Sequence, residues 1–511
     1  MPINNSSKWL SILWILLCLA CNDEASPGQD ADIIDVADAS HEDISEYDLV
    51  SSDMSDMDTF LADADVLVDM FPPEDMDMEQ DLSEMMLPEL TPPGGEATIS
   101  HDPATPFLQF APNLPLSELR RASLGRELFV ADWTAAPGNR ELLDGLGPLF
   151  VAQSCLSCHP SSGQAPTLTA GGGVGVGILF RLGVKDSGDT WSTEPTYGAQ
   201  LQNLSFAGVP SEGVVRWSAS EDSDSGLQHI DFKLENVSYG EPLEGTVLGP
   251  RRSPSLVGMG LLDAIDEDTI RAWEDPEDLD GDGISGRAHQ VWDVESQSMK
   301  LGRFGWKAIH TTLKQQTAGA LSEDMGLTSP VFPEPNCRAS QTACLDAPSG
   351  GSPEVSHDSL ESMSYFLLAL GVPDREVFDE ERLNGGRALF HQVGCAGCHR
   401  PSVTTGSEHT QAWLNHQTIW PYTDLLLHDM GENLADIQEG DAGPSEWRTP
   451  PLWSLRFIAS QPDARFLHDG RARTVNEAIL WHGGEASEAQ QGYRELSEDE
   501  RAQLIDFLMS I

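Results

Sequence analysis

Two short segments of the chain repeat the same arrangement of cysteine and histidine. Residues 151–160 read VAQSCLSCHP and residues 392–401 read QVGCAGCHRP, and together they hold half of the eight cysteines. Cys-x-x-Cys-His is the attachment signature of c-type haem, in which two thiols bond to the porphyrin and the histidine binds the iron. We therefore predict two covalently bound haems, attached through Cys155, Cys158 and His159 and through Cys395, Cys398 and His399.

Other uses of this cysteine pattern fit the rest of the sequence less well. A structural zinc site needs further cysteine or histidine pairs at short spacing, and the sequence offers none. A redox-active disulfide uses one Cys-x-x-Cys pair but needs no histidine after it, and here a histidine follows both pairs. Haem attachment is the interpretation that accounts for the histidine as well as the cysteines.

The surroundings of the two motifs repeat as well. GPLFVAQSCLSCH (147–159) parallels GRALFHQVGCAGCH (386–399), and this alignment sets Leu149-Phe150 opposite Leu389-Phe390. Such an internal repeat predicts two units of related structure, each built around one haem.

Later segments extend the repeat. RRSPSLVGMGLL (251–262) echoes EWRTPPLWSL (446–455), and each unit then ends on a helical pattern, over 358–373 and over 496–511. In the last of these, Ser497 and Glu500 have the spacing of a capping box. The boundary between the two units falls near Val372-Pro373.

This organisation predicts a mainly α fold of tandem cytochrome c-like domains with long loops. The N-terminal haem domain covers 101–373 and contains a large insertion, and the C-terminal haem domain covers 374–511. The glycine- and proline-rich interior, with short apolar runs, favours short helices and loops over a continuous sheet.

One helix in the second unit carries a histidine toward the core. Thr474 and Glu477 have capping-box spacing, so a helix begins at Val475, and Gly483-Gly484 ends it. Its apolar face carries Val475, Ala478, Ile479 and His482. His482 is either a buried structural residue or the second axial ligand of haem 2.

Several longer motifs accompany these features. They are DLDGDGISGRA, LGRFGWKA, QTAGALSEDMGLTS, YTDLLLHDMG, EWRTPPLW and HDGRARTVNEAILWHGGEA. On these motifs the chain from about residue 115 to residue 511 resembles the di-haem oxidoreductases, also called thiol oxidoreductases. That family is related to bacterial di-haem cytochrome c peroxidases and to the di-haem enzymes that mature methylamine dehydrogenase.

The resemblance has a consequence for haem 2. In the peroxidase relatives, the residue fourteen positions after the equivalent of His468 is the distal ligand of the C-terminal haem. It is methionine in the peroxidases and tyrosine in the maturation enzymes, whereas this chain has His482 there. The resemblance therefore implies a haem 2 with two histidine ligands, and because axial ligands set haem potential, the redox roles of the relatives do not transfer.

The second ligand of haem 1 is left open by the sequence. The peroxidases place a distal histidine soon after the first motif, and here the segment PSSGQAPTLTAGGGVGVGILF has none. The candidates further on are Met259, His289, His310 and Met325. We favour Met325, and the alternative is a five-coordinate iron with an open face for peroxide or another small substrate.

Two further constellations are chemical candidates. Asp278, Asp280 and Asp282 alternate as in the first half of an EF-hand loop, which favours Ca²⁺, although His289 stands where the bidentate glutamate belongs; an acidic surface turn is the alternative. Cys337 and Cys344 are predicted to form a disulfide, and a redox-active pair is the less favoured alternative because Cys-x-x-Cys spacing is missing.

Residues around the haems offer groups for proton and electron transfer. The catalytic candidates are His428, His468 and Arg471, with Asp429, Arg448 and Asp469 as supporting groups. Histidine and aspartate can move protons, and arginine can pair with a haem propionate. Trp306 or Trp453 could carry electrons between the haems. For each of these groups, a purely structural role in packing is the alternative.

The first hundred residues predict export. Residues 1–21 resemble a lipoprotein signal, with Cys21 as the lipidated residue, and ordinary cleavage near Ala20 or an uncleaved anchor is the alternative. Residues 22–100 are rich in Asp and Glu and predict a disordered acidic tether. The expected location is the periplasm or cell surface, on a bacterial membrane through the lipid anchor.

The charge and the motifs together set the expected function. A net charge of −54 argues against nucleic acid as a partner and suits a small basic electron donor. We expect a peroxidase-like enzyme that reduces hydrogen peroxide with electrons from a cytochrome or cupredoxin. The alternatives are a non-catalytic electron-transfer cytochrome and an oxidase that acts on a protein partner.

Overall fold

Each Cys-x-x-Cys-His segment lies beside a pair of crossing helices. The computed structural model describes residues 92–100, 107–140, 142–188, 190–223 and 225–511. The α-helices are α1 (Leu119–Val130), α2 (Cys155–Cys158), α3 (Met259–Asp263), α4 (Glu267–Arg271), α5 (Leu313–Met325), α6 (Thr342–Leu345), α7 (His357–Leu368), α8 (Glu380–Gln392), α9 (Leu455–Ala459), α10 (Val475–Trp481), α11 (Ser487–Glu495) and α12 (Glu498–Ser510).

The strands are short and belong to several small sheets. They are β1 (Thr98–Ile99), β2 (Leu149–Phe150), β3 (Leu168–Thr169), β4 (Gly173–Val174), β5 (Ile178–Lys185), β6 (Trp191–Thr193), β7 (Leu204–Ser205), β8 (Val214–Glu221), β9 (Gln228–Glu235), β10 (Thr246–Arg252), β11 (Gln290–Asp293), β12 (Ser298–Leu301), β13 (Val372–Pro373), β14 (Val403–Thr404), β15 (Thr418–Ile419), β16 (Leu427–Asp429) and β17 (Glu446–Arg448). With 28% helix and 19% strand, the protein is not mainly α, and that prediction is wrong.

The strands concentrate in the insertion that follows the first motif. There β10, β5 and β6 form one sheet, and β3, β4, β8 and β9 form another. On β5, Ile178, Phe180 and Leu182 are buried at alternate positions, which is the period of a half-buried strand. The alternation of apolar residues on β5 was thus present in the sequence, but nearby glycines and prolines made a loop the favoured prediction.

A glycine permits the crossing of each helix pair. Gly125 of α1 lies against α7, where an added Cβ would be 1.9 Å from the carbonyl oxygen of Ser362. Gly386 of α8 lies against α12 in the same way, with an added Cβ 2.2 Å from the carbonyl oxygen of Gln503. Both glycines begin the sequence Gly-Arg-x-Leu-Phe. The two halves therefore share one helix-pair design.

This equivalence corrects the alignment of the repeat. Leu389-Phe390 lie in α8 and correspond to Leu128-Phe129 in α1. Leu149-Phe150, which the sequence aligned with them, form strand β2 instead. In the first half, residues 131–154 lie between the helix and the motif, whereas in the second half only residues 393–394 do.

The folded part begins before residue 100. Strand β1 pairs in parallel with β13, with Thr98 opposite Val372, and Ile99 is buried. Residues 92–100, assigned by the sequence to the acidic tether, therefore pack with the domain boundary. The rest of the predicted signal and tether, including Cys21, lies in 1–91, outside the described residues.

The two halves share apolar packing. The largest apolar cluster includes Leu261 from before the predicted boundary and Trp453 and Phe507 from after it. In the last helix, Ser497 and Glu500 form the reciprocal hydrogen bonds of a capping box, as predicted. Among the described residues, none of the helices has the length and apolar character that crossing a membrane requires.

Candidate haem sites

Both Cys-x-x-Cys-His segments face one internal cavity of about 820 Å³. Around the first segment the wall comes from α5 and from residues between 251 and 259. Around the second it comes from α8, α10 and residues 447–455. The cysteines and histidines of both motifs are among the lining residues, so the fold brings the two predicted haem sites together.

The two motif histidines are oriented in the same way. Nδ1 of His159 donates a hydrogen bond to the carbonyl oxygen of Pro254 at 3.0 Å, and Nδ1 of His399 donates to that of Tyr422 at 2.9 Å. A carbonyl oxygen only accepts, so each ring carries its proton on Nδ1 and leaves the lone pair of Nε2 for a metal. Burial lowers the pKa of both rings to about 4, which keeps them in the neutral, metal-binding form.

The motif cysteines have the chemistry of thiols. All four are free of disulfides, and Sγ of Cys158 donates to the carbonyl oxygen of Val176 at 3.0 Å. Burial raises the pKa of Cys155 and of Cys395 to about 12. Two thiols and one oriented imidazole in a buried cavity fit haem.

Helix α10 carries His482 to the cavity wall. The helix begins at Val475, where Oγ1 of Thr474 accepts the N–H of Glu477 at 3.1 Å. The carboxylate of Glu477 accepts the N–H of Arg473 instead, at 2.7 Å, so the predicted capping box is only half formed. Val475, Ala478 and Ile479 line the cavity with His482.

His482 repeats the orientation of the motif histidines. It is the residue that ends α10, and its Nδ1 donates to the carbonyl oxygen of Ala478 at 2.7 Å. Nε2 is again the nitrogen with the lone pair. A charge on His482 would lower the pKa of His399, and both side chains line the cavity. The arrangement supplies two candidate axial ligands at the second motif.

The candidates for the second ligand of haem 1 differ in placement. His289 has both ring nitrogens occupied, since Nδ1 donates to Lys307 O at 2.8 Å and Nε2 accepts the N–H of Asp441 at 3.2 Å. Met325 is 2% exposed, packs in an apolar cluster and also lines the cavity. Met259 and His310 line the cavity too.

His310 is half-buried, and its Nδ1 atom is buried without a hydrogen bond among the described residues. It lies against Gly319 of α5, where an added Cβ would be 3.0 Å from its Cε1 atom. Burial lowers its pKa to about 4, and the neighbouring Glu323 opposes that shift. His310 is therefore a neutral imidazole that faces the cavity beside α5.

The three catalytic candidates have close partners, and two of the three are charge-paired. Nε2 of His428 lies 2.9 Å from Asp424 Oδ2, and Nδ1 lies 2.7 Å from Glu485 Oε2. Although burial alone would lower it, these hydrogen bonds raise the pKa of His428 well above its ordinary value. Arg471 pairs with the carboxylate of Asp469.

His468 is packed against aromatic rings and cations. It stacks on Trp447 with ring centroids 3.6 Å apart. Burial, then Arg251 and Arg471, lowers the pKa of His468 well below its ordinary value. Nothing in the sequence indicated that Trp447 would stack on His468. The predicted electron carriers Trp306 and Trp453 line the cavity.

The remaining predicted sites lie outside the cavity or at its edge. Carboxylate oxygens of Asp275, Asp278 and Asp280 lie within 4.8 Å of one another. Asp282 is outside this group, and its Oδ1 accepts the N–H of Ile284 at 2.8 Å. The calcium ion predicted for this loop stays a prediction.

The pair of cysteines predicted to form a disulfide is bonded. A disulfide links Cys337 to Cys344, with Cα atoms 5.8 Å apart. Neither residue lines the cavity, and Cys344 packs in a small apolar cluster with Leu149 and Val209.

A cavity that presents two Cys-x-x-Cys-His motifs with equally oriented histidines defines a two-haem protein. Residues 235–511, more than half of the chain, match the family described as "Di-haem oxidoreductase, putative peroxidase". The chain therefore belongs to the di-haem oxidoreductases. The first motif lies before the matched region, so its assignment depends on the geometry that it shares with the second.

The chain has weak structural similarity to a known protein. A structure of hydrazine synthase from Kuenenia stuttgartiensis, pressurized with 20 bar xenon, has 13% identity and a TM-score of 0.29, over 76% of this chain and 92% of that chain. Neither fold nor function is transferred at that level. None of the curated proteins matches the chain.

Proposed function

We propose that this oxidoreductase is a peroxidase that reduces hydrogen peroxide with electrons from a small donor protein. The supporting observation is a difference between the two haem sites. At the second motif, His399 and His482 offer two rings that are both fixed through Nδ1. At the first motif, His159 is the ring that is fixed in this way. We infer that iron at the second motif would have two histidine ligands, whereas iron at the first would keep the open face that the sequence left as the alternative to Met325.

The missing hydrogen bond on Nδ1 of His310 supports an open iron face at the first motif. Metal-binding histidines almost always donate their second ring N–H to a carbonyl or carboxylate, and this orients the ring. Nδ1 of His310 has no such acceptor among the described residues. We infer that His310 does not bind iron and instead exchanges protons with a substrate, a role for which a neutral imidazole is suited.

The chemistry divides between the cofactor and the protein. Haem held by Cys155, Cys158 and His159 would supply the redox chemistry that reduces hydrogen peroxide. His310 would accept a proton from hydrogen peroxide and return it to the oxygen that leaves as water. In total, one hydrogen peroxide, two electrons and two protons give two waters. Trp306 and Trp453 offer aromatic rings for electron transfer between the two sites.

The same proposal includes the form of the cofactor and the compartment. We infer that both haems are bound by thioether bonds to the motif cysteines. Covalent haem and the Cys337–Cys344 disulfide suit an oxidising compartment outside the cytoplasm, as does the export signal predicted over 1–21 with lipid on Cys21. The net charge of −54 favours a small basic cytochrome or a cupredoxin as the donor.

The experiment is steady-state reduction of hydrogen peroxide by the full-length protein with a reduced small cytochrome or azurin-like donor. We expect turnover after reductive activation, and one high-spin and one low-spin haem in the resting ferric protein. No turnover after activation would remove the peroxidase assignment. Two low-spin haems together with no turnover would identify an electron-transfer cytochrome.

The role of His310 is tested separately. His310→Gln should lower the rate of reaction with peroxide by about 100-fold or more, the range of general acid–base catalysis, and should leave the ferric spectrum unchanged. A shift of haem 1 from low spin to high spin in this variant would show that His310 is a ligand instead. His229→Gln is the control, because His229 lies outside the cavity.

A further inference from the structure

Five arginine side chains line the cavity. They are Arg181, Arg251, Arg252, Arg303 and Arg448. Arg181 and Arg251 are paired with the carboxylate of Glu439, at 3.5 Å and 3.0 Å. Among the described residues, Arg252, Arg303 and Arg448 form no ion pair with a carboxylate. Arg303 is half-buried and has three carboxylates acting on it, whereas Arg252 and Arg448 are only 6% and 8% exposed.

Arg252 is held by backbone groups alone. Its Nε donates to the carbonyl oxygen of Leu467 at 3.2 Å and its Nη1 to that of Ser253 at 3.4 Å. Asp469 is the carboxylate that acts on it, and Asp469 is already paired with Arg471. The positive charge of Arg252 is therefore not balanced locally.

Arg448 has the same environment. Its Nε donates to the carbonyl oxygen of Gly305 at 2.9 Å and its Nη1 to that of Thr449 at 3.1 Å. Asp424 is the carboxylate that acts on it, and Asp424 lies 2.9 Å from the charged ring of His428. Asp424, like Asp469 in the first half, is therefore already paired with another cation.

Two such cations are costly without an anion. A buried charge is normally paired, and a buried ion pair that loses one partner is strongly destabilised. Burial lowers the pKa of Arg252 and of Arg448 to about 10, so both remain protonated at neutral pH. Each therefore needs an anion from outside the described protein groups.

The two arginines are equivalent in the internal repeat. Arg252-Ser253-Pro254 and Arg448-Thr449-Pro450 occupy matching places in the segments 251–262 and 446–455. In the first half, the carbonyl oxygen of Pro254 also orients His159. Each half thus contributes one haem motif and one unpaired buried arginine to the same cavity.

We propose that Arg252 and Arg448 are the carboxylate-binding residues of the cofactors, each pairing with a propionate of one haem. A guanidinium can bind a carboxylate through two parallel hydrogen bonds, and the remaining N–H groups of each side chain are available for this. The assignment depends on the two haem sites and is independent of peroxidase activity.

The test is the reduction potential of each haem, measured by spectroelectrochemistry on the full-length holoprotein. A cation beside the haem favours the reduced, less positive iron, so its removal should lower the potential. Arg252→Leu should lower one redox wave, and Arg448→Leu should lower the other. Arg252→Lys and Arg448→Lys should restore most of the shift, because they keep the charge.

The controls separate folding and the source of the carboxylate. Arg303→Leu, in the same cavity but with Asp263, Glu267 and Asp266 acting on it, should leave both waves in place. Haem content per chain identifies any variant that fails to load, and the lysine variants then carry the test. If acetate shifts the wild-type waves and the leucine variants do not respond to it, the arginines bind a free carboxylate and the propionate assignment falls. Unchanged waves in both fully loaded leucine variants would also overturn it.

Discussion

Gly386 of α8 packs directly against the backbone carbonyl of Gln503 of α12, at a distance that leaves no room for a side chain. The same contact recurs between Gly125 and Ser362 in the first half. Because α8 leads into the second haem motif, this crossing fixes where Cys395 enters the cavity. The packing of two helices thus controls the position of the cofactor site.

Gly386→Ala should therefore destabilise the protein. An added Cβ would lie 2.2 Å from a backbone oxygen, so the helices must separate, and overpacking of this kind costs about 1–3 kcal/mol. Gly385→Ala is the matched control, because its Cβ would meet the movable end of the Gln503 side chain. Alanine in a helix interior is better than glycine by about 1 kcal/mol, so this variant should be neutral or more stable. Equal effects of the two substitutions on chemical unfolding would contradict the crossing.

His482→Ala should open the second face of haem 2. The ring is fixed by Ala478 and directs Nε2 to the cavity, so its loss should convert one low-spin ferric haem to high spin. Added imidazole should restore the low-spin spectrum. His229→Ala is the control, since His229 packs on Trp481 at a centroid distance of 4.9 Å without lining the cavity. An unchanged spectrum in His482→Ala would remove His482 as a ligand.

The Cys337–Cys344 disulfide should be structural. Replacing both cysteines with serine should lower the free energy of unfolding by roughly 2–2.5 kcal/mol, the entropic contribution expected for a loop this small. Because neither cysteine lines the cavity, the haem potentials and peroxide turnover should not change. Loss of turnover in a folded, haem-loaded double variant would instead indicate a redox-active pair.

Glu212 should make stability depend on pH. It is fully buried, and burial raises the pKa of its carboxyl group to about 7 although hydrogen bonds from Gln202 and Gln341 oppose the shift. A raised folded-state pKa gives stability that is present below the ordinary pKa of the group and is lost as pH rises through 7. Relative to Glu212→Gln, the wild type should lose about 3 kcal/mol between pH 4.5 and pH 7.5. A constant difference in unfolding free energy across that range would contradict the shift.

Some of these features could be read from local spacing. The haem motifs, the capping box of the last helix and the His482 helix each involve residues within a few positions of one another, so composition and periodicity suffice. The prediction of a mainly α fold was wrong because strand pairing joins residues that are far apart in the sequence. Strands β5 and β10 pair across about 60 intervening residues in the sequence, and their alternation is interrupted by glycine and proline.

The amino-acid pattern alone predicts two haem-binding motifs and a third histidine, His482, on the buried face of its helix. Tertiary packing sets the groups that orient these residues and balance their charges. His159 is fixed by a carbonyl 95 positions away, and Arg252 and Arg448 are unpaired because their nearest acids bind other cations. Hydrogen bonds and buried charges depend on which residues tertiary packing brings together, and local spacing along the chain does not predict those contacts.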